Sequence, residues 1–209
     1  AKRMELDRWA DRYKILVGAL QETKINCNCC METDNYVWFF SSSVKNEARQ
    51  KVEQMRQENQ PIPLYAKLSA QEHCGVGVMI YKSLKPSIEN VFAVSNRLIV
   101  LHLKSQTDIY FYSAYAPTAP SDPMVKNDFY DMLTQKWIDV SDEHVKILGI
   151  DANAKICQNE DETEGVVGQY LLRASNEAMT NMCNHTWDNR QRFLEFCITH
   201  RLWIANTHF

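Results

Sequence analysis

Five short apolar runs separated by polar or charged stretches set the limits on what this chain can build: Ile15 to Leu20, Gly75 to Tyr81, Leu98 to Lys104, Asp108 to Tyr115 and Val145 to Ile150. All are of strand length. Val76, Val78 and Ile80 alternate with Gly77, Met79 and Tyr81, whereas Leu98 to Leu101 is nearly continuous. The short link Ser105-Gln106-Thr107 implies a hairpin and hence antiparallel pairing. Helical spacing appears in three places. Leu6, Trp9, Ala10 and Tyr13 form one face, Phe129, Met132, Leu133 and Trp137 another, and Phe193, Leu194, Phe196 and Cys197 a third. Leu202 to Ala205 reads as a final strand. A chain of 209 residues can bury one substantial core, so the mixture predicts a single domain over 1–209, with sheet layers flanked by helices. Asn46 to Gln60 carries only a thin apolar stripe of Ala48, Val52 and Met55 and is stopped by Pro61 and Pro63, which marks a peripheral insertion at about 41–63.

The 23 Lys and Arg against 26 Asp and Glu leave a formal charge of -3, so no global field draws in a polyanion. A nuclease is still open, because a bound divalent ion and local basic residues offset an acidic site. No stretch reaches the 18 or so apolar residues of a membrane span, and the charged start Ala1 to Asp7 lacks the core of a signal peptide. The seven cysteines, an odd number, read as free thiols of a reducing, intracellular compartment. The cluster Cys27-Asn28-Cys29-Cys30 is CxCC rather than CxxC, has no second paired set, and reads as reduced cysteines in a loop. The six histidines form no spaced ligand set, and the acidic run Asn159 to Gly165 lacks the alternation of a calcium loop.

Two segments carry chemistry at strand ends. Gln21-Glu22-Thr23-Lys24 follows the first run, and Asp151-Ala152-Asn153 follows Val145 to Ile150. Two carboxylates and an amide without thiolate or imidazole company suit a hard, oxygen-liganded ion such as Mg²⁺, with substrate phosphate completing its shell. That combination predicts metal-assisted attack on a phosphate ester. Extended-chain alternation is expected to put Asp151 and Asn153 on one side, with Ala152 turned away. Asp accepts a proton from water, and an uncharged Asn donates to a phosphate oxygen without repelling it.

In order along the chain, Leu20-Gln21-Glu22-Thr23, Gly75-Val76-Gly77-Val78, Ser113-Ala114-Tyr115-Ala116-Pro117-Thr118, Leu148 to Lys155, Arg192 to Cys197 and Asn206-Thr207-His208-Phe209 resemble the endonuclease/exonuclease/phosphatase superfamily. They are most similar to endonuclease domains of non-LTR retrotransposons and craniofacial development protein 2-like sequences. The resemblance implies an α+β fold, a four-layer α/β-sandwich with its site at one end. It implies Glu22 and Asp151 as ligands of Mg²⁺ or Mn²⁺, and Asp151, Asn153 and Tyr115 as catalytic residues, with Asn206 at the site edge. It implies DNA as substrate and, for a retroelement product, the nucleus as location. The family's opening strand, its closing Asp and its Ser-Asp-His triplet have no counterpart here, so the fold is expected to be incomplete at both termini and the isolated chain inactive. A phosphatase acting on a lipid or nucleotide monoester and a catalytically silent binding module are the alternatives. A groove lined by Lys24, Lys82 or Arg97 would favour DNA.

Overall fold

The computed structural model describes residues 2–25, 27–42, 54–61, 75–156, 165–171 and 184–208. The insertion expected at about 41–63 falls largely outside the described residues, as do Cys74, Cys157, Cys183 and the acidic stretch 159–164. The chain divides into two compact units, Ala1–Tyr115 with Asp139–Asp151, and Ala116–Ile138 with Ala152–Phe209.

The first unit contains helix α1 (Lys2–Arg12) and strands β1 (Val17–Leu20), β2 (Cys29–Glu32), β3 (Tyr36–Ser41), β4 (Val76–Tyr81), β5 (Ile88–Ser95), β6 (Leu98–Leu103), β7 (Ile109–Tyr115) and β8 (Val145–Asp151). They form two four-stranded sheets, ordered β1-β4-β3-β2 and β5-β6-β7-β8. Among the described residues every pairing is antiparallel except β7 with β8. The expected β6-β7 hairpin is therefore present.

Period-2 alternation decides which side chains meet. Val37, Val76, Val78 and Ile80 of the first sheet pack on Ile99, Leu101, Leu103 and Tyr115 of the second. Tyr36, Trp38, Phe40 and Met79 point the other way and are covered by Ala10 and Leu6 of α1. The unit thus stacks a helix on a sheet on a sheet, each buried aliphatic side chain contributing about 1.5–3 kcal/mol.

Several details depart from the sequence reading. Trp9 and Tyr13 stay 51% and 60% exposed, while Asp7, which carries no apolar signal, is fully buried beside Ala10. The Asp7 carboxylate accepts from Thr33 Oγ1, from the Asn35 backbone N–H at 3.2 Å and from Asn35 Nδ2 at 2.6 Å. Burial alone raises its pKa, but the Thr33 and Asn35 hydrogen bonds outweigh that and hold it below the usual carboxylate value. A buried acid satisfied in this way ties α1 to the β2-β3 turn. Cys29 and Cys30 lie in β2 rather than in a loop, because the apolar β3 recruits this short edge segment through pairing. Leu202 to Ala205 forms no strand. Ile204 N donates to Val166 O at 3.0 Å, Trp203 is 77% exposed, and the chain closes in a 3-10 turn, Ala205–Thr207.

The second unit is built on α2 (Pro123–Ile138) and α3 (Asn184–Thr199). Asp122 caps α2 by accepting from Met124 N at 2.8 Å, and Pro123 occupies the first helical position, where no N–H is needed. The helices meet through Trp137, Tyr130 and Phe196, with ring centroids about 6 Å apart. The buried Lys126 of α2 donates to Asp188 of α3 at 2.7 Å and to Ala119 O at 2.9 Å. Asp188 also accepts from Arg192 Nε at 2.7 Å. No helix among the described residues is long and apolar enough to cross a membrane.

Candidate active site

The ends of β1, β7 and β8 come together within the first unit. Ser113, fully buried on β7, accepts from Leu20 N and donates to Leu20 O, both at 3.2 Å, stitching one sheet to the other. Gln21 Nε2 reaches Gly149 O of β8 at 3.3 Å. This approach requires glycine at 149, because a Cβ there would stand 2.4 Å from the Ala19 Cβ.

Beyond this stitch the chain turns abruptly. Glu22 and Lys24 adopt left-handed backbone, with φ of 50° and 56°. Such geometry costs of order 1 kcal/mol or more per non-glycine residue and persists only where its surroundings over-determine it. They do so here. Thr23 N donates to Gly75 O at 3.0 Å, and Gly75, at φ 122°, leaves room where a Cβ would lie 2.7 Å from Thr23 Oγ1.

The strained backbone delivers the Glu22 carboxylate to Tyr115, whose phenol donates to Oε1 at 2.7 Å. The Tyr115 ring is buried in the core, and Arg97 fixes it from behind. Arg97 donates to Tyr115 O at 3.2 Å, accepts from Tyr115 N at 2.9 Å, and places its guanidinium 5.4 Å from the ring centroid. Tyr115 is paired in register with Asp151 on the parallel neighbour β8. Paired residues of adjacent parallel strands project to the same face about 5 Å apart. Both carboxylates are exposed to solvent.

Asn153 belongs to the second unit. The expected alternation stops short of it, because β8 ends at Asp151 and Asn153 itself is left-handed, at φ 47°. Its Nδ2 donates to Ala116 O at 2.8 Å. The buried Asn189 of α3 donates to Pro117 O and to Asn153 O, both at 3.0 Å. Asn206 is exposed on the 3-10 turn after Ile204.

Of the basic residues considered for a groove, Lys24 is exposed next to Glu22, and Arg97 is buried against Tyr115. Lys82 follows the far end of β4 and pairs with Glu32 at 3.6 Å, away from the Gly75 end that supports Glu22. Sequence reasoning missed Gln21, Ser113 and Asn189 as positioning groups, because a polar side chain that bonds a segment 36 to 128 residues distant leaves no periodic mark. Arg97 was singled out only as a groove cation.

Chemically, the cluster offers two anionic oxygen ligands, a phenolic donor and a buried cation. Among the described residues no group of three or more His, Cys, Asp or Glu converges. The donors present fit an ion that takes one or two carboxylates and fills its shell with water and phosphate, as Mg²⁺ does.

No family model matches this chain, and no curated protein does. Among solved structures it is similar to the crystal structure of AP endonuclease LMAP from Leishmania major, with a TM-score of 0.56 and 13% sequence identity. The match covers 92% of this chain and 60% of that one, so the chain spans less than two thirds of the structure it resembles. At that identity the likeness concerns the fold alone: a mixed α/β architecture of sheets and helices like that of the AP endonuclease structure.

Proposed function

We propose that this chain carries the catalytic centre of a divalent-metal-dependent phosphodiesterase acting on DNA, of the kind found in non-LTR retrotransposon endonuclease domains. The observation that carries the reading is the left-handed Glu22, locked onto Tyr115, which is itself in register with Asp151. Strain of this kind, stabilised by a glycine, a threonine and a buried Tyr-Arg pair, is what a functional strand end retains and a plain turn discards.

Glu22 is the first candidate to hold Mg²⁺ or Mn²⁺, with Asp151 a second, direct or through water. When bound, the ion would polarise a phosphoryl oxygen. Asp151 accepts the proton of the attacking water and orients that water toward phosphorus. Tyr115 keeps Glu22 in place and offers its phenolic hydrogen to oxygen that gains charge in the transition state. The Arg97 charge behind the ring strengthens the phenol as a donor. Asn153 is assigned to orienting the scissile phosphate by its neutral amide, and Asn206 to the margin of the site.

Nicking of supercoiled plasmid in Mg²⁺ or Mn²⁺, by a chain supplemented with the family's opening strand, closing Asp and Ser-Asp-His triplet, tests the reading, and the product should carry a 3′-hydroxyl. Asp151→Ala should slow cleavage at least about 10²-fold while DNA binding changes less, since the lost interaction belongs to the transition state. Parent-like cleavage by Asp151→Ala would remove that residue from the mechanism. Mn²⁺ binding, followed by electron paramagnetic resonance, should weaken in Glu22→Gln. The lack of a three-ligand cluster among the described residues supports a second reading, a catalytically silent binding module. That reading expects no Mn²⁺ binding and no cleavage in any variant.

A further inference from the structure

We propose that helix α1 presents a binding surface for single-stranded nucleic acid, separate from the Glu22 centre. Its Trp9 is 51% exposed and Tyr13, one turn on, 60%. Their ring centroids lie 4.7 Å apart with the planes inclined at 47°. Tyr13 N donates to Trp9 O at 3.2 Å, so the helical turn carries through to the second ring. Arg8 and Arg12 are exposed, each one position ahead of a ring, and Lys2 is exposed two turns before Trp9. Among the described residues none of these three cations makes an ion pair or a side-chain hydrogen bond.

The surface is held rigidly because the other side of the helix is fully engaged. Ala10 is buried on the first sheet, Asp7 is bonded to Thr33 and Asn35, and Arg3 Nη1 lies 2.8 Å from Met31 Sδ. Its place in the fold is also fixed. Asp7 grips the β2-β3 turn, and Leu16 O, just past Tyr13, accepts from Tyr81 N at 2.8 Å. The surface therefore stands at the Tyr81 end of β4, whereas Glu22 is supported from the Gly75 end. The strand between those ends, Val76–Tyr81, spans roughly 17 Å of extended chain.

Charge and ring chemistry select the occupant. The chain as a whole carries a formal charge of -3, yet along this stripe Lys2, Arg8 and Arg12 face only Glu5, and Asp11 is engaged by Lys14 at 3.3 Å. Arg8 and Arg12, four residues apart, sit about 6 Å from one another, on the scale of the step between phosphates of an extended strand. Guanidinium groups clasp phosphate oxygens, and exposed aromatic faces stack bases whatever their sequence. A duplex keeps its bases stacked inside and offers nothing to the rings. An acidic peptide uses the cations and leaves Trp9 and Tyr13 bare, and a lipid surface requires a continuous apolar stripe, whereas here rings alternate with charges. A single strand uses both.

The test is fluorescence anisotropy of labelled oligothymidylate with the purified chain at low salt in EDTA, so that no divalent ion takes part and the outcome is independent of the phosphodiesterase reading. The parent should bind. Trp9→Ala should weaken binding at least about 10-fold and Trp9→Phe should recover most of the loss, with circular dichroism verifying that both remain folded. An oligomer of abasic sugar phosphates should bind the parent as weakly as oligothymidylate binds Trp9→Ala. Replacing Arg8 and Arg12 together by Gln should reduce the slope of log affinity against log salt by about 1.4, or about 0.7 for each phosphate contact removed. No binding by the parent overturns the proposal, as does equal binding of the abasic and thymidylate strands. Binding lost in Glu22→Gln but kept in Trp9→Ala would put the strand at the metal centre instead. Tighter binding to anionic phospholipid vesicles, or self-association abolished by Trp9→Ala, would assign the surface to a membrane or to a second copy and equally overturn it.

Discussion

The Tyr115 phenol donates to Glu22 Oε1 at 2.7 Å across 93 residues of sequence, joining the end of β7 to the end of β1. One tyrosine thus serves both core and site, since its ring packs among Val37, Val76 and Ile99 while its hydroxyl emerges at the carboxylate.

Tyr115→Phe separates these two roles. The ring and its packing remain, and the hydrogen bond is lost. Unfolding free energy should fall by about 1 kcal/mol or less, the net value of one partly exposed hydrogen bond. Metal-dependent cleavage should fall about 10-fold or more, because Glu22 loses its orienting donor. Urea melts and plasmid nicking on the same preparation measure both, and a large stability loss with unchanged nicking would reverse the assignment.

The backbone of Glu22 supplies a second prediction. At φ 50° glycine is unstrained and alanine is not. Both variants lack the carboxylate, so Glu22→Gly should be about 1 kcal/mol more stable than Glu22→Ala, with both inactive. Equal melting of the two variants would show that the left-handed geometry is not retained in solution.

At Gly149 the two sheets touch. A methyl group there would stand 2.4 Å from the Ala19 Cβ, far inside contact distance. Gly149→Ala should therefore cost about 1–3 kcal/mol by overpacking. Adding Ala19→Gly should recover part of that loss. A double-mutant cycle with zero coupling would contradict the close approach.

Acid stability follows from Asp108. The hydrogen bond from His102 at 3.0 Å is the largest influence, joined by Ser105 N at 3.2 Å and Lys104 at 3.3 Å, and together they lower its carboxyl to about 2. The folded pKa lies below the ordinary value of 3.8, so the stabilisation is complete above about pH 4 and is lost as pH falls toward 2. Asp7 is lowered as well and adds to the same acid limb. Urea midpoints measured from pH 5 to pH 2 should decline less steeply in Asp108→Asn than in the parent. Identical slopes would sink the account.

Part of the strand set was legible in the sequence, although β3, which buries Tyr36, Val37, Trp38 and Phe40, was not among the expected runs. The alternation of Val76, Val78 and Ile80 and the continuous run from Leu98 to Leu101 mark β4 and β6 correctly. Glu22 and Asp151 were legible as strand-end carboxylates, and Tyr115 through the resemblance. What brings them together was not. The stitch through Ser113, the contact at Gly149 and the left-handed turn at Glu22 depend on tertiary partners that no local pattern encodes. Periodicity finds the first helix, with Leu6 and Ala10 on its packed face, but misreads the rest of that face for a related reason. It ranks Trp9 and Tyr13 above Asp7, whereas packing on β3 buries the acid because Thr33 and Asn35 stand ready to satisfy it.

The single parallel pairing among the described residues, β7 with β8, has a consequence for synthesis. A parallel neighbour requires a crossover connection, here the stretch that contains α2, so Asp151 is made 36 residues after Tyr115. At about 5–20 residues per second, a ribosome needs roughly 2–7 s to bridge that gap. During this interval Glu22 and Tyr115 have left the peptidyl-transferase centre while the β7 edge still lacks its β8 partner. The β7 edge therefore has no β8 to pair with until residue 151 is made, and the part of the site carried by β1 and β7 is synthesised before the part carried by β8.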